Sequence, residues 1–388
     1  MLEVILNLGE EENILNGFPW IYNNEVHHFK GEIISGEVCK VLTYKNEFVG
    51  YGFFNANSKI MVRILSLDKN VLINKDFFKK RILRAIEHRK NLGFSSCRLV
   101  FSEADFLPGL IVDKYGDYLS VQFMSMGMDK IKKDIVDILV EIINPKGIYE
   151  RSDMPVRNKE GLEEFKGFLY GKFNPKVIIE EDEINFYVDL ENGQKTGYFL
   201  DQKLNRDILR LYAKDKVVLD AFSNVGGFAL HAAKYGAKKV DACDISQRAC
   251  DDISLNAKLN NFTQINAKCI DVFDYLHSEE AINTGYDLIV LDPPAFSKDK
   301  NSIKKAYRGY KEINMQAMKI IKSGGYLFTF SCSQHMTPDL FMQMVKEAAI
   351  DAKRIVQFLD FRIQSPDHPA LLTANEQLYL KCMILRVL

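Results

Sequence analysis

The reading of this chain turns on Lys216-Val217-Val218-Leu219-Asp220-Ala221-Phe222-Ser223-Asn224-Val225-Gly226-Gly227-Phe228-Ala229-Leu230-His231-Ala232-Ala233. The apolar run around Leu219 suits a strand covered on both faces. Gly226-Gly227 permits backbone torsions closed to other residues, and a helical pattern resumes at Phe228. Strand, sharp turn and helix, in that order, open a ligand-binding α/β unit. The spacing is not the G-x-G-x-x-G of a dinucleotide site, because Asn224 and Val225 stand where glycine would let a pyrophosphate approach. A cofactor without a pyrophosphate is favoured, and a nicotinamide-dependent oxidoreductase is disfavoured.

Downstream of this stretch strand and helix alternate, as a doubly wound sheet requires. Strands are predicted at 217–221, 239–243, 265–269, 286–291, 325–330 and near 354–361 and 379–387, which makes residues 188–388 a Rossmann-like α/β domain with a seven-stranded sheet. Upstream, residues 1–70 read as a small β-barrel domain, with six Lys and Arg against nine Asp and Glu. That balance argues against this domain alone gripping a phosphate backbone. Residues 71–187 form a middle α+β domain with helices over 75–89 and 129–143 and a hairpin over 110–123. Positions 158–174 carry no clear period and are expected as a loop-rich insertion. The helix over 75–89 is crowded with cations, including Arg81, Arg84 and Arg89, offset within it only by Asp76 and Glu87. A nucleic-acid contact and a solvated cationic face are equally good readings of it.

Composition bounds the function classes. At 388 residues, with 47% hydrophobic and 27% charged, the chain is globular and large enough for two or three domains. No apolar run approaches the ~18 residues of a membrane span. The N-terminus lacks the basic and apolar regions of a secretory signal, so a cytoplasmic protein is expected. Seven scattered cysteines, never spaced C-x-x-C, indicate neither a disulfide framework nor a zinc site. The net charge of −1 makes any nucleic-acid function depend on local basic patches.

In such a sheet ligands bind beyond the carboxyl ends of the strands. Four acids stand there: Asp220, Asp244, Asp271 and Asp292, the last in Asp292-Pro293-Pro294-Ala295-Phe296. Any one alone reads as a helix cap or turn acid, but caps have no need to recur at every ligand-facing strand end. Cys332 follows the fifth predicted strand at the same rim. Carbon 5 of cytosine is not nucleophilic until something adds to carbon 6, and a thiolate is the suitable group, so Cys332 reads as a nucleophile for pyrimidine carbon methylation. A packed strand-end thiol is the competing reading.

These residues resemble the class I S-adenosylmethionine-dependent methyltransferases. The resemblance implies S-adenosyl-L-methionine as cofactor, held by Asp220, Phe222, Asn224 and Gly226 at the turn, Asp244 and Ile245 at the ribose, Asp271 and Val272 at the adenine, and Asp292 with Pro293. A narrower resemblance, to the ribosomal RNA large-subunit methyltransferase I family, rests on the run from Gly324-Gly325 through Cys332, Gln194-Lys195-Thr196-Gly197-Tyr198-Phe199-Leu200-Asp201-Gln202, Arg308-Gly309-Tyr310-Lys311, Asp367-His368-Pro369 and Phe18-Pro19-Trp20-Ile21. It implies an N-terminal PUA domain, a middle β-β-α-β-β-like domain and a methyltransferase domain. Gln194, Thr196, Tyr198 and Phe199 are then expected to fold over the cofactor. It further implies 5-methylcytosine formation in 23S ribosomal RNA or its large-subunit precursor, through Cys332 and Asp292. Pro294 stands where many relatives carry a second, product-releasing cysteine. Lys298, Lys304, Lys305 and Arg308 are expected to hold phosphate beside the site, with no metal and no membrane partner and a homodimer left open. Two alternatives remain: methylation of a guanine or adenine nitrogen through Asp292-Pro293-Pro294 without covalent catalysis, and a non-catalytic RNA-binding ribosome assembly factor.

Overall fold

Short apolar strands broken by Gly, Asn and Asp turns dominate the first 70 residues. In the computed structural model, which describes residues 1–296 and 302–388, they pair as a six-stranded sheet. Its order is Trp20–Tyr22, Ile60–Ser66, Phe48–Phe54, Val38–Leu42, Glu3–Leu6, Val26–Lys30. A second, five-stranded sheet runs Phe165–Tyr170, Gly147–Ser152, Tyr118–Phe123, Leu110–Tyr115, Cys97–Phe101. Helices α1 (Lys75–Lys90) and α2 (Lys132–Ile143) share its core through Phe78, Ile82, Ile135 and Leu139. Phe165–Tyr170 lies inside the segment expected to be a loop. It is an edge strand, antiparallel to Gly147–Ser152, with every side chain exposed or half-exposed, so it lacks the buried face that would have given it a period.

The chain folds as two compact units: Met1–Ile179 with Val188–Leu200 and Pro366–Gln377, and Glu180–Tyr187 with Asp201–Ser365 and Leu378–Leu388. The second unit is built on seven strands: β1 (Val217–Ala221), β2 (Lys239–Asp244), β3 (Ile265–Cys269), β4 (Tyr286–Leu291), β5 (Ile321–Ser331), β6 (Val356–Arg362) and β7 (Lys381–Val387). Their order is 3-2-1-4-5-7-6, parallel except for β7, which runs antiparallel to both β5 and β6. Val218, Leu219, Ile289 and Val290 are fully buried, as central parallel strands require, and helices cover both faces. The strand order reverses between β1 and β4, and the crevice beyond their carboxyl ends is where such sheets take ligands. Among the described residues no helix is long and apolar enough to cross a membrane.

Candidate active site

β1 delivers Asp220 to the rim and the chain then turns sharply into helix α3 (Gly227–Lys234). Phe222, Asn224 and Gly226 all take left-handed torsions, with φ of 64°, 53° and 88°. A Cβ on Gly226 would stand 2.6 Å from Leu230 Cδ1, so both the torsion and the space demand glycine. The turn aims backbone amides at carboxylates. Asn224 N donates to Asp244 Oδ2 and Ser246 N to Asp244 Oδ1, each at 2.9 Å, so β2 and the β1 turn share one half-buried acid. Ile245, beside it, is 70% exposed.

Asp220 is 1% exposed; Ser223 Oγ and Ala229 N both donate to its Oδ2, while Oδ1 has no partner among the described residues. Burial pushes this carboxyl up to about 7, opposed by those two hydrogen bonds and reinforced by the charges of Asp292 and Asp244. Asp271 caps the helix Val272–His277 by accepting from Phe273 N at 2.7 Å, and Val272 is buried. The cap reading therefore holds for Asp271, at a half-buried position on the same rim. Asp292 Oδ2 accepts from Gln202 Nε2 at 2.9 Å, and Asn205 Nδ2 in turn holds Gln202 Oε1 at 2.8 Å.

Cys332 follows β5 directly and is half-buried, its Sγ 4.0 Å from the Pro293 carbonyl oxygen. The fourth and fifth strand ends thus converge, as their parallel pairing dictates. The Phe296 ring packs with Phe222, Phe273 and Tyr310, at 6.4, 5.9 and 4.6 Å between centroids, forming an aromatic wall beside the acids. Burial raises the Tyr310 phenol above its ordinary range, and the charges of Cys332 and Asp292 add to that. Tyr310 and Gln202, both within the stretches that carry the family resemblance, adjoin Cys332 and Asp292, and the buried Lys381 joins them on structural grounds that residue pattern did not single out.

Residues 4–67 match the PUA-like domain family, and residues 166–386 match the S-adenosylmethionine-dependent methyltransferase family. The ribosomal RNA large subunit methyltransferase I of Aliivibrio fischeri (strain MJ11) is 40% identical over 393 residues, covering 100% of this chain and 99% of that relative. The chain belongs to the ribosomal RNA large subunit methyltransferase I family. The member from Vibrio parahaemolyticus serotype O3:K6 (strain RIMD 2210633) is 39% identical over 394 residues, at 99% coverage of both chains. Among solved structures, the methyltransferase SMU.776 complexed with SAH shares the fold, with a TM-score of 0.86 at 23% identity and complete coverage of both chains.

The enzyme is therefore an S-adenosylmethionine-dependent methyltransferase, and its rim suits that cofactor. A sulfonium with no phosphate needs no glycine cradle and gains from a rim of carboxylates, one of which, Asp220, keeps a buried oxygen without a donor among the described residues. Gln194, Thr196, Tyr198 and Phe199 belong to the first compact unit. There Thr196 is fully buried and its hydroxyl donates to Asp113 Oδ2 at 2.5 Å, while Tyr198 N donates to the Tyr115 hydroxyl at 3.1 Å. The Thr196 side chain is thus an anchor of this stretch within the first unit.

The cations of helix α1 differ in exposure. Arg89 is 2% exposed and fixed by two bonds to Asp105, at 2.6 and 2.7 Å, so it cannot reach a phosphate. Arg81 gives its guanidinium to the carbonyls of Leu65 and Phe106, and burial lowers it to about 10. Lys75 and Lys79 pair with Asp134, Asp137 and Glu141 of α2, which adds acids beyond the Asp76 and Glu87 of α1 itself. Arg84 remains exposed, as do Lys304, Lys305 and Arg308 on the helix Ile303–Ile320, whereas Lys311 pairs with Glu347 and Asp351. Lys298 lies outside the described residues. Glu181, Asp182 and His231 bring possible ligand atoms within 4.8 Å of one another, but Glu181 is held by Arg206 at 2.6 and 2.9 Å and reads as one half of a buried ion pair.

Proposed function

We propose that this chain forms 5-methylcytosine in large-subunit (23S) ribosomal RNA, in the cytoplasm, with Cys332 as a covalent nucleophile. The observation that carries the reading is Cys332 itself: a half-buried thiol directly beyond β5, 4.0 Å from the Pro293 carbonyl and so beside Asp292. A base in stacked RNA cannot reach such a rim, so the target cytosine leaves its stack. Cys332 adds as thiolate to carbon 6, forming a C–S bond and moving the ring electrons toward carbon 5 and N3. Asp292, oriented by Gln202, hydrogen-bonds the N3/N4 edge and stabilises the adduct. S-adenosylmethionine supplies the electrophilic methyl group when bound. Once carbon 5 is methylated, a base removes its proton, the ring double bond re-forms and the Cys332 thiolate leaves.

In the same reading Asp244 with Ile245 receives the ribose hydroxyls, and Asp271 with Val272 receives the adenine. Asp220, Phe222, Asn224, Gly226 and Pro293 line the methionine end. The PUA-like segment within residues 1–70, the middle segment 71–187 and the exposed Arg84, Lys304, Lys305 and Arg308 offer the RNA backbone its contacts. The test is Cys332→Ala, with modified bases mapped by bisulfite sequencing or mass spectrometry. Loss of roughly 10³-fold or more in 5-methylcytosine formation is expected. A variant that methylates at the wild-type rate, or a product methylated on a purine nitrogen, overturns the reading.

A further inference from the structure

β7 lies antiparallel to β5 with Lys381 opposite Ser331, the residue before Cys332. Lys381 is only 2% exposed, and its ammonium donates to the carbonyl oxygens of Ser333 at 2.8 Å and Tyr379 at 2.6 Å. Two neutral carbonyls satisfy hydrogen bonds but do not cancel a charge. Among the described residues no carboxylate pairs with Lys381, whereas the buried Arg89 and Arg206 are each held by one. A buried ammonium without a counter-ion is costly, so a chain that keeps it there implies an anion nearby at some stage of the cycle. Ser333 O ties the ammonium to the residue that follows Cys332, and the first residue of β7 is therefore fastened across the thiol-bearing turn.

We propose that Lys381 is a positioning residue that fixes the Cys332 turn and serves as the counter-charge for the Cys332 thiolate. The inference rests on the reading of Cys332 as the nucleophile. Burial lowers the Lys381 ammonium to about 8 while the charge on Cys332 raises it, so near neutral pH the lysine is mostly protonated and the two charges support one another. Tyr310 feels the charges of both Cys332 and Asp292: the Asp292 carboxylate, one residue before the Pro293 that Cys332 contacts, opposes the thiolate, and the neutral phenol adds no charge. The thiol's proton is released to solvent, and Lys381 keeps its own. A thiolate is then ready when the cytosine arrives, and its leaving at the end of the cycle is eased by the same ammonium.

The test is the pH dependence of Cys332 alkylation by iodoacetamide in the full-length protein without RNA. It is read on the Cys332 peptide by mass spectrometry, with the exposed Cys269 as internal reference. The wild-type protein is expected to show an apparent thiol pKa about one unit or more below the usual ~8.5. Lys381→Met is expected to move it up by about one unit or more, with roughly tenfold slower alkylation at pH 7 and no change at Cys269, and Lys381→Arg to restore most of the shift. A wild-type thiol titrating at or above the ordinary value overturns the proposal, and so does a folded Lys381→Met protein with the wild-type profile. The wild-type profile decides the matter even if Lys381→Met does not fold. Because no RNA is present, this outcome is separate from that of Cys332→Ala: 5-methylcytosine made without the thiol removes the nucleophile reading whatever the alkylation profile.

Discussion

Asp220 offers a measurement that tests the geometry of the cofactor turn through protonation. Its carboxyl is enclosed, with two donors on Oδ2 and none among the described residues on Oδ1, and burial raises it from 3.8 to about 7. A carboxyl raised in the folded state binds its proton more tightly there than in the unfolded chain. Its contribution to stability is complete below about pH 4 and is lost as pH rises toward 7. A shift from 3.8 to about 7 corresponds to about 4 kcal/mol across that window.

Asp220→Asn keeps an oxygen for Ser223 Oγ and Ala229 N and places a neutral amide where the second oxygen stood. Below pH 4 the variant should be within about 1–3 kcal/mol of wild type, the cost of a buried amide short of an acceptor. As pH rises to 8 the wild type loses stability and the variant does not, so their difference should move in favour of the variant by up to about 4 kcal/mol. Urea denaturation followed by circular dichroism, at matched ionic strength from pH 4 to 8, reads this as a pH-dependent difference in midpoints. Other acids titrate in the same range, but apart from Asp292 and Asp244, whose charges act on Asp220, they are common to both proteins and cancel. A wild-type-minus-variant difference that stays flat from pH 4 to 8 refutes the enclosure of Asp220 and with it the shape given to the turn.

Asp244→Ala removes the acceptor for Asn224 N and Ser246 N and the proposed partner of the ribose, and calorimetry should show S-adenosylmethionine binding weakened by roughly 10- to 100-fold. An unchanged affinity would take Asp244 out of the cofactor site. Arg89→Met removes the buried cation and leaves the half-buried Asp105 without its ion-pair partner, with Phe101 N as its remaining donor, and should cost about 3 kcal/mol in chemical denaturation. The folded variant should bind RNA as wild type does, whereas Arg84→Ala should weaken binding and flatten its salt dependence. Loss of RNA affinity in folded Arg89→Met, read by filter binding across salt concentrations, would return Arg89 to the RNA surface.

The parts of the site that were legible in the chain are those set by neighbours in sequence. The β1 strand, the left-handed turn at Phe222, Asn224 and Gly226 and the acid after each parallel strand are local patterns, and parallel pairing alone carries Asp220, Asp244, Asp271 and Asp292 to one edge. Cys332 was legible for the same reason, as the residue after a strand. What depends on pairing at a distance was not. The cations of α1 look unbalanced until α2 brings Asp134, Asp137 and Glu141 against them, and Arg89 looks exposed until Asp105 closes on it. Phe165–Tyr170 showed no period because an edge strand with no buried face needs none.

Lys381 is the sharpest case of this difference. Nothing in Leu380-Lys381-Cys382 marks the lysine as part of a reaction, and a lysine inside an apolar strand first reads as a residue whose head escapes to solvent. Only the antiparallel register of β7 on β5 sets it opposite Ser331, and only burial forces its charge to find an anion inside the unit. The sheet that orders the acids by parallel strands thus orders the thiol's environment by its single reversed strand. On the proposed reading, the cofactor half of the site is written in local turns. The acceptor half is written in tertiary register, so substitutions in β7, far from any recognised motif, should alter thiol chemistry while leaving cofactor binding intact.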